Sequence, residues 1–267
     1  MRALERTFKE LQSQGRKAFI AYITAGDPDI HATVGLVHVL EASGVDIIEF
    51  GIPFSDPIAD GPVNQAAAQR ALKNDINLGM ILDAVRTIRE DSDIPIVFFS
   101  YINPIIAYGM ERFAADAKES GLSGALILDM PPEEAGDYKV LMEDHDLDTI
   151  FLVSPITPVE RIELIVKHAS GFVYYVSQMG VTGERNDVSE TIPQMVGEIK
   201  RRTDIPVAVG FGISTPDQVK VIAEHADGVI VGSSIVKRIG EKGINPGFEK
   251  EIGAYVKTLT APLKGEQ

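Results

Sequence analysis

Glu49 stands near the end of VDIIEFG (residues 45–51), an apolar run of the kind that forms a buried strand. Asp60 follows in PFSDPIADGP, a loop thick with Pro and Gly that folds into a shaped rim and not into regular structure. Side chains alternate along a strand, so residues 45, 47 and 49 share one side and 46, 48 and 50 the other. With Asp46 at a solvated bottom end and Ile48 and Phe50 packed outward, Glu49 points inward. An acid ringed by Phe, Ile and Leu is expected to have a raised pKa and to carry a proton near neutrality. Asp60, in polar surroundings, is expected to stay ionised. Two carboxylates with divergent pKa values make a proton donor and an acceptor.

A second chemistry gathers towards the C-terminus. Three apolar runs end in glycine-rich turns: MGVTGERND after residue 177, GFGISTP around residue 212 and VGSSIVK from residue 231. Glycines let the main chain approach a ligand closely, and a short helix beginning at Ser233 would aim N–H groups and its positive end at an anion. These turns supply no Lys or Arg where a phosphate would lie, the nearest being Arg185. Binding would rest on backbone N–H groups, Ser233 and the helix dipole. A carboxylate introduced at Gly232 is expected to repel the phosphate without a large loss of stability.

The elements that must position these groups are eight apolar, β-rich runs alternating with helical patterns: residues 18–26, 45–51, 94–101, 124–130, 148–154, 171–177, 205–212 and 227–233. Most are continuously apolar, as expected of strands covered on both faces. No linker or compositional break divides the chain. The pattern fits a single (β/α)8 TIM barrel over residues 1–267, with an extra N-terminal helix, Leu4 to Gln14, across its bottom. A doubly wound open sheet fits less well, because TAGDPD after the first strand is not the glycine-rich turn such a fold uses. In the barrel, reacting groups come from the C-terminal ends of strands, which places Glu49, Asp60, Asp129 and the tyrosines of the sixth strand, Tyr174 and Tyr175, towards the top face.

A net charge of −14 with no basic stripe argues against nucleic acid as a partner. The absence of cysteine excludes disulfides and thiolate sites. All five histidines fall in helical segments without ligand spacing, so no metal is expected. The charged N-terminal stretch lacks the apolar core of a signal peptide, and a cytoplasmic protein is expected.

Taken together, EFGIPFSDPIADGP (49–62), DMPPEE (129–134), GVTG (180–183), GFGIS (210–214) and VGSSIVK (231–237) resemble the alpha subunit of tryptophan synthase, and the similarity runs through essentially the whole chain. The resemblance implies cleavage of indole-3-glycerol phosphate to indole and glyceraldehyde 3-phosphate, a retro-aldol reaction without a cofactor in this chain. It also implies a beta subunit that uses pyridoxal phosphate, in an assembly of two alpha and two beta chains. By the same resemblance, Glu49 is similar to the acid that protonates the indole ring, Asp60 to the carboxylate that takes the indole N–H, and Tyr174 to the active-site tyrosine. Phe99, Leu126 and Phe211 would surround the indole, and Thr182 would reach Asp60 when the loop after the sixth strand closes as a lid. Gly183, Gly212, Gly232 and Ser233 would cradle the phosphate. The rim Pro53, Phe54, Ser55, Asp56 and Pro57 would meet the beta subunit. Two other readings stay open from the residues: another phosphate-binding barrel such as a sugar-phosphate isomerase or epimerase, and a catalytically idle activator of a beta subunit.

Overall fold

The computed structural model describes residues 1–177, 191–210, 212–243 and 245–264. Eight strands close into a parallel barrel in chain order: β1 (Ala18–Thr24), β2 (Ile47–Gly51), β3 (Ile96–Ser100), β4 (Gly124–Ile127), β5 (Asp148–Val153), β6 (Val173–Val176), β7 (Val207–Gly210) and β8 (Gly228–Val231). Each apolar run supplies one strand, and β1 pairs with both β2 and β8 to complete the ring.

The continuous apolar runs have the expected cause, since both faces of the sheet are covered. Ala18 and Ile20 of β1 join an interior cluster with Ile47, Val97, Leu126 and Ile150. Phe19, Ala21 and Ile23 belong instead to the larger cluster between the sheet and the surrounding helices. Several of those helices carry their own start signals. Asp29 accepts from Ala32 N at 2.8 Å at the head of Ile30–Ala42, and Asn77 accepts from Met80 N at 3.1 Å at the head of Leu78–Ile88. Thr215 and Gln218 form a reciprocal capping box on Pro216–Ala223. Each cap satisfies donors the helix itself leaves open, and its loss typically costs about 1 kcal/mol.

The bottom is closed by the helix Ala3–Ser13, one residue offset from the expected span. Its apolar stripe, Leu4, Phe8 and Leu11, completes the interior cluster, and the Phe8 ring lies 6.0 Å from that of Phe172. Arg2 pins the helix by an ion pair of 3.0 Å to Asp148 at the start of β5. Asp46 does lie at this end, but it is covered and not solvated as expected: its carboxylate accepts from Phe19 N at 2.8 Å and pairs with Arg16 at 3.3 Å. With the floor sealed by this helix, the end of the barrel left for a site among the described residues is the one where the strands finish. Phe8→Ala removes the plug's largest side chain, and a loss of about 3–5 kcal/mol is expected in urea denaturation. A loss under about 1 kcal/mol would mean that the helix lies on the barrel without sealing it.

Candidate active site

Glu49 faces inward, as alternation requires, because Ile47 belongs to the interior cluster while Ile48 and Phe50 pack outward. Its cross-strand neighbours are Tyr22 of β1 and Val97 of β3. The side chain is fully buried, and neither carboxyl oxygen has a hydrogen-bond partner among the described residues. Burial pushes its pKa up to about 8, because an isolated carboxylate cannot be solvated there. Glu49 therefore holds a proton at neutral pH.

Asp60 has the polar partners expected of its loop, but it is not fully exposed. It is half-buried, and burial raises its pKa above the ordinary carboxylate range, opposed by hydrogen bonds from Tyr101 and Asn64. The Tyr101 hydroxyl donates to Oδ2 at 3.0 Å and itself accepts from Ala59 N at 2.9 Å. Gln65 Nε2 donates to the Asp60 carbonyl at 2.8 Å, fixing the loop just before Pro62 starts the helix Pro62–Leu72. Both acids are thus pushed upward by burial, and what separates them is their partners. Asp60 has donors that hold an anion, whereas Glu49 has none.

Aromatic and aliphatic side chains complete the mouth. Phe99 pairs in register with both Gly51 and Leu126, so these lie side by side on neighbouring strands. The Phe99 ring meets Tyr22 edge-on at 5.3 Å and lies 6.4 Å from Tyr174. Two glycines make this possible. A Cβ on Gly51 would stand 2.0 Å from the Tyr22 hydroxyl oxygen, and one on Gly210 2.6 Å from that of Tyr174. The Tyr174 phenol is pushed well up by burial and by the neighbouring Glu49 and Tyr22. Tyr175 points the other way, into the packing between sheet and helices.

On the far side of the mouth the helix Ser233–Lys242 begins at Gly232 with no side-chain cap, unlike the boxed helix beside it. Its first turn is anchored by Ser234, whose hydroxyl donates to the Ile213 carbonyl at 3.1 Å. Gly212 has φ +70°, a conformation open to glycine. A Cβ on Gly232 would lie 3.2 Å from Cβ of Tyr22. A side chain there would lie close against Tyr22, which would have to give by a few tenths of an ångström. Ser233, which is exposed, is the position from which to probe this end. Thr182, Gly183, Arg185 and Phe211 lie outside the described residues.

The rim divides. Ser55 and Asp56 are exposed and Phe54 and Pro57 half-buried, but Pro53 is buried, lining a cavity of about 280 Å³ with Ile52, Leu78, Pro104 and Tyr108. Asp129 caps a neighbouring helix instead of reaching the mouth, its Oδ1 accepting from Ile102 N at 2.7 Å. Tyr22, Tyr101 and the exposed Ile58 are the residues that sequence reasoning missed. The alternation that oriented Glu49, applied to AFIAYIT, would have turned Tyr22 inward. Nothing local marks Tyr101, whose partner is forty-one residues away. Among the described residues no group of three or more His, Cys, Asp or Glu could hold a metal ion.

The family model for the tryptophan synthase alpha chain matches residues 8–260. The chain belongs to that family. It is 48% identical to the tryptophan synthase alpha chain of Geobacter sulfurreducens, over 95% of this chain and 96% of the relative, and 43% identical to that of Solibacter usitatus, over 97% of each. Among solved structures it matches tryptophan synthase of Mycobacterium tuberculosis with a TM-score of 0.89 and 38% identity, over 98% of both chains. It also matches a chain of the α2β2 tryptophan synthase complex of Pyrococcus furiosus with a TM-score of 0.86 and 39% identity, over 92% of this chain and 99% of that one. Membership of this family makes the chain a lyase.

Burial of Glu49 in its neutral form has a thermodynamic signature. The unfolded chain ionises this group at the ordinary 4.5 and the folded chain only at about 8. Between those values the folded state binds more protons, so this contribution to stability is full below pH 4.5 and is lost as pH rises towards 8, by about 1.4 kcal/mol per pH unit. Glu49→Gln removes the group, and its stabilisation relative to wild type should grow from pH 5 to pH 8 in parallel urea titrations. A difference that is flat with pH would mean that Glu49 is ionised in the folded protein.

Proposed function

We propose that Glu49 and Asp60 carry the retro-aldol cleavage of indole-3-glycerol phosphate in this chain. The observation behind the assignment is a fully buried acid, unpartnered among the described residues, near the end of β2, with a carboxylate held by donors in the loop that follows. Indole is a poor leaving group as a carbanion, so the ring must first gain a proton at carbon. Neutral Glu49 supplies it. The positive charge that develops at the ring nitrogen is met by Asp60, which accepts the indole N–H hydrogen bond. The Glu49 carboxylate then takes the proton of the hydroxyl next to the ring, the carbon–carbon bond breaks, and its electrons return to the ring. Glu49 ends protonated, and the products are indole and glyceraldehyde 3-phosphate.

Phe99 and Leu126 flank the indole, with Tyr174 beside the ring. The phosphate lies at Gly212, Gly232 and Ser233, where the uncapped helix end lets an acidic protein hold an anion without a Lys or Arg. Thr182, Gly183 and Phe211 keep the roles that the family resemblance assigns. Pyridoxal phosphate belongs to the beta subunit. The exposed rim Phe54 to Ile58 is the surface for that subunit, in an assembly of two chains of each kind, and the working compartment is the cytoplasm. In support of the last point, no helix of the described residues is long and apolar enough to cross a membrane.

The direct test is indole release from indole-3-glycerol phosphate by the isolated chain and with a beta subunit added. Release by neither would leave the idle-activator or sugar-phosphate readings. Glu49→Gln should lower turnover by about 10²- to 10⁴-fold, the usual contribution of a general acid, in a chain that still unfolds cooperatively. Turnover within about tenfold of wild type would take the proton transfer away from Glu49.

Ser233→Asp probes the phosphate end. A carboxylate in the first turn suits the helix dipole and should leave stability unchanged or slightly raised, yet it stands where the phosphate binds. KM for the substrate should rise at least tenfold with the melting temperature unmoved. An unchanged KM would place the phosphate elsewhere.

A further inference from the structure

The reaction leaves a problem inside the barrel. Once Glu49 has given up its proton it is a buried anion, and in the resting structure neither of its oxygens has a partner. Such an anion is costly unless a donor turns to it. Its in-register neighbours are Tyr22 of β1 and the apolar Val97 of β3, its charge reaches the phenols of Tyr22 and of Tyr174 on β6, and the Tyr22 phenol also feels Asp60 from the loop after β2.

Tyr22 is the closest of these along the sheet. It pairs in register with Glu49, and its ring leans up the barrel so that the hydroxyl stands over Gly51, where a Cβ would come within 2.0 Å of it. Gly51 is two residues beyond Glu49 on the same face of β2, a separation of about 6.6 Å along a strand. A glutamate side chain and an O–H together span that distance. The ring cannot swing away, because Phe99 meets it edge-on and the Gly232 backbone lies against its base. Tyr174 also feels the Glu49 charge, but it is not in register with Glu49, and its hydroxyl stands over Gly210 of β7.

Resting on the retro-aldol reading above, we propose that Tyr22 is a positioning residue that acts through Glu49: its hydroxyl donates to the Glu49 carboxylate after the proton has gone to the indole ring, holding that carboxylate until it takes the proton of the substrate hydroxyl. No covalent bond to Tyr22 forms or breaks and no proton leaves it. The phenol is suited to this, since burial and the charges of Asp60 and Glu49 hold it protonated far above neutral pH. The need for the hydroxyl also explains a backbone feature. Any residue other than glycine at position 51 would evict it.

The test is Tyr22→Phe, which keeps the ring and its packing and removes only the donor. In protein labelled with 13C-glutamate, with the Glu49 signal identified by its loss in Glu49→Gln, the titration midpoint should rise from about 8 by at least one pH unit. The corresponding limb of the kcat profile should move with it. Turnover should fall about 10- to 100-fold, the range for a hydrogen bond to a charged group, with KM within about threefold. An unmoved midpoint overturns the proposal even if activity falls, because packing alone would then explain the loss. A larger shift in Tyr174→Phe than in Tyr22→Phe overturns it too, by giving the role to the other tyrosine. The midpoint does not depend on catalysis, so a shift in a chain that releases no indole would uphold the contact and sink the reaction.

Discussion

The burial of one carboxyl group without a hydrogen bond organises the top of this barrel. Glu49 is neutral at physiological pH because it is fully buried and neither of its oxygens has a hydrogen-bond partner among the described residues, and that condition holds only while the strand ends remain packed around it. The sealed bottom contributes by another route. With Leu4, Phe8 and Leu11 closing the floor and Ile20, Ile47 and Val97 filling the middle, water can approach Glu49 only from the mouth. The N-terminal helix is remote from the chemistry, but it helps to maintain the dielectric on which the acid's protonation rests.

How much of this is legible in the sequence depends on whether the cause is local. The eight strands are legible because burial on both faces leaves continuous apolar runs, and the inward turn of Glu49 is legible because Ile48 and Phe50 show which face is outward. The surroundings of Asp60 are not, for a physical reason. Its loop reads as polar and open, yet Tyr101 arrives from the end of β3 to cover it, a contact set by barrel closure. Pro53 fails in the same way: a proline in a turn-rich segment looks like a rim residue, and the helix Leu78–Ile88 buries it. The inward turn of Tyr22 is legible by the same alternation, on one side with Ala18 and Ile20, whereas its place beside Glu49 is set by the register between β1 and β2.

The glycines of the motif acquire distinct reasons once the tyrosines are in place. Gly51 and Gly210 make room for phenol oxygens, whereas Gly232 leaves the start of a helix bare and lies against the base of Tyr22. Tyr22 therefore lies between two glycine positions, its hydroxyl over Gly51 beside the Glu49 strand and its Cβ against Gly232 at the helix start. In a protein of net charge −14 this economy matters, since a lysine for the phosphate would stand in a mouth where Glu49 must stay neutral. A nearby cation would favour the carboxylate and lower its pKa. A helix end offers an anion only a partial charge that falls off within a turn, so phosphate binding and acid catalysis can share one mouth.

The rim is tied to Asp60 by a short chain of contacts. The Phe54 ring packs against Tyr101 at 5.2 Å, Tyr101 donates to Asp60, and the same tyrosine leads into the helix whose first N–H is capped by Asp129. A surface that presses on Phe54 presses on the residue that donates to Asp60, with one side chain between them. Because the Tyr101 hydroxyl also accepts from Ala59 N, its position follows the loop backbone as well as the ring. Displacing either would change how many donors Asp60 keeps. Contact with a partner at this edge needs no rearrangement of the barrel to be felt at the site; it needs only a shift of the loop that carries Asp60, held from below by Gln65 and from the side by Tyr101.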